Sequence, residues 1–138
     1  MEIAAVALGA LRSHGERDYP NEACGLLVGA ASAGRLRIEQ AVAVPNLNTE
    51  RAKDRYTLDP AAHREADERA RREGRDIVGV YHSHPDHPAR PSETDRAQAY
   101  PEWAYVIVSV ERGKAGDVGA FVLGDWDGVF AEVPIETS

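Results

Sequence analysis

The sequence has one cysteine, Cys24, in 138 residues, which excludes an intramolecular disulfide and gives no support to an oxidising compartment. No stretch approaches the roughly 20 consecutive apolar residues that a membrane helix requires. The apolar opening, Met1 to Leu11, lacks the basic segment of a signal peptide and has a helical period instead. A soluble cytoplasmic protein with no membrane partner is therefore expected. Cations are also in deficit: 16 Lys and Arg against 23 Asp and Glu leave a net charge of -7, which argues against a nucleic-acid partner. The one basic run, Arg64, Arg69, Arg71, Arg72 and Arg75, is interleaved with Glu65, Asp67, Glu68 and Glu73, as on a solvated helix face. There is no internal repeat, biased tract or linker, so residues 1–138 are expected to form a single domain large enough to bury a core. A homodimer is left open.

What the chain does have is concentrated between Tyr81 and Asp95. The β-branched run Asp76 to Tyr81 predicts a buried strand that ends by delivering His82 and His84. Residues two apart on a strand share a face, so both imidazoles project to one side and Ser83 to the other. Pro85 stops the strand. Pro88 and Pro91 then shape a loop, and Ser92-Glu93-Thr94-Asp95 has the form of a helix start with Ser92 as N-cap. Asp95 is either a capping carboxylate or a third ligand that returns towards the two histidines. Two histidines and a carboxylate with a fourth position open make a catalytic zinc arrangement. His87, off the His-x-His face and beside Pro88, is expected at the rim of the cleft rather than on the ion.

Far upstream, Glu22 precedes the strand Cys24-Gly25-Leu26-Leu27-Val28-Gly29. A Glu before a Cys-Gly-Leu-Leu-x-Gly strand, followed by His-Ser-His-Pro-x₆-Ser-x₂-Asp, resembles the JAMM (MPN⁺) zinc metalloprotease family in its compact prokaryotic form. The resemblance covers nearly the whole chain. It implies one zinc ion held by His82, His84 and Asp95, Glu22 as general base on a zinc-bound water, and Ser92 as donor to the carbonyl oxygen as it becomes charged. It also implies hydrolysis of a peptide or isopeptide bond after the C-terminal Gly-Gly tail of a small ubiquitin-like or sulfur-carrier β-grasp protein, with release of cysteine as the narrowest form. Arg51, Lys53 and Arg55, in the polar segment Asn46 to Arg55, are then candidates to hold the incoming tail, with His87 at the rim.

The other elements agree with this reading. Ile3, Val6, Ala7, Ala10 and Leu11 predict a helix to about His14 that Gly15 ends. His14, near that terminus, is expected to be structural. Strands are expected over 23–30 and 36–44 as a hairpin, over 56–58, 105–110, 118–123 and 129–135, with a turn over 124–128. Asp59-Pro60 should start a helix running to Glu73, in which His63 faces solvent. A short helix is expected from Thr94 to Tyr100. Trp103 and Trp126 are assigned to packing or a partner surface. The fold class is α/β (α+β), a mixed β-sheet flanked by helices, and the family's cytidine-deaminase-like fold suits that order. Deaminase chemistry is excluded, because it needs His-x-Glu and Cys-x-x-Cys. Two further readings stand beside the peptidase: a nucleic-acid-associated accessory protein, which Ser83 and the lack of a DNA-binding module disfavour, and a metal-free scaffold, which the complete ligand set disfavours. Cys24 reads as a small buried apolar residue, with an oxidation-sensitive role as the alternative.

Overall fold

The structure, a computed structural model, describes residues 1–101, 103–124 and 128–138. The strands are β1 (Glu2–Ile3), β2 (Cys24–Ser32), β3 (Arg35–Val44), β4 (Asp76–Pro85), β5 (Ala104–Glu111), β6 (Lys114–Leu123), β7 (Phe130–Val133) and β8 (Glu136–Thr137), and the helices are α1 (Ala5–Asp18), α2 (Pro60–Arg72) and α3 (Glu93–Ala97). All eight strands form one mixed sheet in the order β7-β6-β5-β4-β2-β3-β1-β8, flanked by helices as expected. β4 lies at the centre, antiparallel to β2 and parallel to β5. The parallel pairing requires a crossover, and the connection that carries α3 supplies it.

Expectation and structure differ at several boundaries. Helix α1 continues through Gly15 to Asp18. Gly15 is buried in the helix interior, where a Cβ would stand 2.9 Å from Val110 Cγ2 and 3.3 Å from Ser83 Cβ, so it is a close-packing residue and not a cap. The buried stripe is Ala7, Leu11, His14 and Gly15. Ile3 belongs to β1, and Val6, 75% exposed, faces water. The strand expected over 56–58 is reduced to one bridge, Asn46 with Leu58, because the Thr57 N–H is taken by the side chain of Asn46. Helix α3 ends at Ala97, and the Tyr100 N–H donates to Tyr105 Oη at 2.6 Å instead of continuing the helix. Asp125, Trp126 and Asp127 of the expected turn lie outside the described residues.

The strand expected over 129–135 is β7, which ends at Val133, and a short strand not expected from the sequence, β8, follows it at the opposite edge of the sheet. β7 pairs with β6, and β8 runs parallel to β1. Only Pro134 and Ile135 separate them, a link that spans on the order of 10 Å. The two edges are therefore close, and the sheet curls around α1. Ala7 and Leu11 pack there with Leu27, Ile38, Tyr81, Val106, Val108 and Val110. On the outer face, Leu26, Val80, Tyr105, Ile107 and Phe121 pack with Ala66 of α2. Asp59 Oδ1 accepts from Ala61 N at 2.9 Å, and Pro60 opens α2, as the sequence predicts.

Candidate metal centre

Strand β4 carries His82 and His84 at its end because the ladder holds there on both sides. Cys24 pairs with His82 across β2, the Ser83 N–H donates to Ala23 O at 3.0 Å, and β5 pairs through Val110. Both rings face the side covered by α2 and α3, while Tyr81 and Ser83 face α1. Asp95 comes from the first turn of α3, whose cap is reciprocal: Asp95 N donates to Ser92 Oγ at 3.1 Å and Ser92 N donates to Asp95 Oδ2 at 2.8 Å. The capping role leaves the ligand role open, because the same Oδ2 also meets the histidines.

Three atoms converge. His82 Nε2 and His84 Nε2 are 3.1 Å apart, and Asp95 Oδ2 lies 3.3 Å from the first and 3.2 Å from the second. A tetrahedron of ligands about 2.0–2.1 Å from a small dication has edges of about 3.3 Å. His84 Nδ1 donates to Pro88 O at 2.9 Å, which leaves the Nε2 lone pair pointing at the cluster, the orientation a metal-ligating histidine takes. Three lone-pair atoms this close require a proton or a cation between them. Electrostatics agree. Burial lowers the pKa of His82, with Asp95 opposing; at His84 burial is outweighed by Asp95, Pro88 O and Glu22, and the pKa rises. Against its own burial, hydrogen bonds from His82 and His84 hold Asp95 far below the ordinary carboxylate range. These donors fit a divalent ion.

Glu22 stands beside the cluster without joining it. It is 4% exposed, and its Oε1 has no hydrogen-bond partner among the described residues. Burial pushes its pKa up to about 8, with His84 opposing and the charge of Asp95 adding. A cation on the three ligands would draw that carboxyl back to its ionised form. His82 is flanked by Tyr56, stacked at 4.6 Å between ring centroids.

The remaining sequence candidates separate. Arg51, Lys53 and His87 line one polar groove with Pro20, Asn21 and Pro85, while Arg55 is not among its lining residues. Arg51 donates from Nε and Nη2, one edge of its guanidinium, to the two carboxylate oxygens of Asp54, and Arg55 Nη1 donates to Asp54 O at 2.7 Å. His87 is exposed at the rim. Cys24 is fully buried, its thiol pushed up to about 12 by burial and then by Glu22, which suits the apolar reading. His63 is not the solvent-facing residue expected: it is half-buried and meets Trp103 edge-on at 5.9 Å between ring centroids. Sequence reasoning missed two residues that hold Glu22 in place. Ser83 Oγ accepts the Ala23 N–H at 2.8 Å, and Asn46 Nδ2 donates to Glu22 O at 3.2 Å. The position of Ser83 between two histidines was a usable signal; nothing in the local sequence marks Asn46.

The family described as prokaryotic homologs of the JAB domain matches residues 4–123. The chain belongs to it. Among curated relatives, this JAB domain is 35% identical over 104 residues to a probable TtuB-protein conjugate cleaving protease of Thermus thermophilus, covering 75% of this chain and 66% of that protein's length. It is 31% identical over 135 residues to the CysO-cysteine peptidase of Mycobacterium tuberculosis, covering 96% of this chain and 88% of the relative. A solved JAB1/MPN domain protein from Archaeoglobus fulgidus superposes with a TM-score of 0.63 at 17% identity, covering 99% of this chain and 98% of the other, and it shares the fold. Among the described residues, no helix is long and apolar enough to cross a membrane.

Proposed function

We propose that this JAB domain is a zinc-dependent peptidase that cuts the peptide or isopeptide bond after the C-terminal Gly-Gly tail of a small ubiquitin-like or sulfur-carrier β-grasp protein. The observation that carries the reading is the triangle of His82, His84 and Asp95 ligand atoms with the buried Glu22 carboxyl beside it, whose Oε1 has no hydrogen-bond partner among the described residues. Family membership and the two named relatives support the substrate class. Zinc held by the three ligands would act as Lewis acid and bring water towards ionisation at neutral pH. Glu22 takes the proton from the attacking water and returns it to the departing amine. The Ser92 hydroxyl, which accepts from Asp95 N, keeps its own hydrogen free to donate to the substrate oxygen as it gains charge. Arg51, Lys53 and His87 border the groove that would receive the polypeptide, and Arg55 acts through Asp54. The setting is the cytoplasm, where the one thiol stays reduced. A homodimer is not required, since one chain supplies every group.

The test is incubation of the zinc-loaded protein with Gly-Gly-ending β-grasp proteins of its host that carry C-terminal extensions, followed by intact mass. Cleavage after the second glycine is expected, with Glu22→Gln losing about 10²–10⁴-fold in turnover while zinc content stays at one per chain. Wild-type turnover in Glu22→Gln would overturn the assignment of the base, and cleavage elsewhere, or none, would overturn the substrate class.

A further inference from the structure

Asn46 lies two residues beyond the end of strand β3 at Val44, and its side-chain amide makes four hydrogen bonds. Nδ2 donates to Glu22 O at 3.2 Å and to Arg55 O at 3.1 Å, and Oδ1 accepts from Asn48 N and Thr57 N, both at 3.0 Å. A primary amide has two hydrogens and two principal lone pairs, so this one is fully used. Three of the bonds close the loop from Pro45 to Leu58 on itself. The fourth reaches across to Glu22.

The main chain of Glu22 is held on its other side by the same loop, its N–H donating to Ala52 O at 2.6 Å. The next amide, Ala23 N–H, is fixed by Ser83 Oγ. The side chain has no comparable support, since Oε1 is buried without a partner among the described residues. The position of the carboxyl is therefore inherited from its backbone, and the backbone is gripped by a loop that Asn46 shapes. Among the described residues, no other side chain in the loop bonds to Glu22.

We propose that Asn46 is a positioning residue: it sets where the Glu22 carboxyl stands relative to His82, His84 and Asp95, and so sets kcat without touching substrate or ion. This rests on the reading of Glu22 as the base. Asn46→Asp is the informative variant, because it keeps shape and acceptor while replacing the two N–H donors with an oxygen; Asn46→Ala is its companion. A misplaced catalytic group costs on the order of 10²-fold for a shift of about 1 Å. The expected result is a fall in kcat of about 10–100-fold, with KM and zinc content unchanged.

A double-mutant cycle separates positioning from general damage. If Asn46 acts through Glu22, then Asn46→Asp lowers the slow residual turnover of Glu22→Gln no further. A merely structural loss would lower turnover by the same factor in both backgrounds, and that outcome overturns the proposal. Amide hydrogen exchange provides a readout that needs no substrate: Asn46→Asp should speed exchange at Glu22 while leaving β5 amides protected, and Asn46→Ala, which also removes the acceptor of Thr57 N–H, should speed exchange at Thr57 as well. Unchanged exchange, or faster exchange with wild-type kcat, also overturns it. Should the wild-type protein cleave no β-grasp substrate, the proposed function fails on its own, while exchange still decides whether Asn46 grips Glu22.

Discussion

Strand β4 presents two unlike faces from one stretch of five residues. On the side of α2 and α3, Val80, His82 and His84 run from apolar packing into a cluster of ligand atoms. On the side of α1, Tyr81 and Ser83 are buried among a helix and a curled sheet. Tyr81 Oη lies 2.7 Å from His14 Nδ1, and His14 Nε2 lies 3.0 Å from Asp18 Oδ2. Histidine appears on both faces with opposite consequences. On the α1 face one ring is held between a phenol and a carboxylate and closes a structural chain. On the outer face two rings turn their lone pairs towards a common point. Residue type alone does not separate a ligand from a packing group: His14 has partners at both ring nitrogens, whereas His82 and His84 turn Nε2 towards each other and Asp95.

The largest test of this division is Asp95→Asn. It should lower zinc affinity by more than about 100-fold, beyond the loss typical of a supporting partner, and remove turnover, as read by metal titration and the cleavage assay. Zinc retention with normal activity would erase the distinction between the faces. The α1 face should respond in the other way. Gly15→Ala places a methyl against Val110, and overpacking of this kind costs about 1–3 kcal/mol; urea unfolding should show that loss while kcat per folded molecule holds.

A smaller effect concerns His14, whose pKa burial lowers from 6.5, with Asp18 opposing. The unfolded chain then binds the proton more readily than the folded one, so the neutral ring contributes stability above about pH 6.5 that is lost as pH falls through the lower folded value. Between pH 7 and 5 the melting temperature should decline more steeply in the wild type than in His14→Gln; parallel slopes would remove His14 as the cause. The smallest expected effect is at Cys24. It lies on the catalytic side, yet dilute peroxide at neutral pH should leave activity and zinc content unchanged, because a buried thiol with a pKa of about 12 offers almost no thiolate. Oxidative inactivation traced to Cys24 would put chemistry where the division expects packing.

Much of this was legible from the chain. The pairing of His82 with His84 follows from strand period, and Asp95 from a capping pattern four residues long, Ser92 to Asp95. The order of strands and helices followed from apolar runs and turn residues. What escaped was non-local. Gly15 reads as a helix stop because the side chains that crowd it, on Val110 and Ser83, lie about 95 and 70 positions away. The short strand β8 beyond the expected one depends on an edge built by β1, at the other end of the chain. His63 reads as solvated because the ring that covers it, Trp103, belongs to another element. Asn46 looks like an ordinary loop residue until four amide and carbonyl groups are seen around it.

Helix α3 has five residues, none of them buried, and its carboxylate is shared between its own cap and two histidines. It is thus fastened to the rest of the molecule chiefly through polar groups at one end. An ion at that point would serve as a rivet as well as a reagent, and chelation should loosen the crossover between β4 and β5 before it disturbs the sheet.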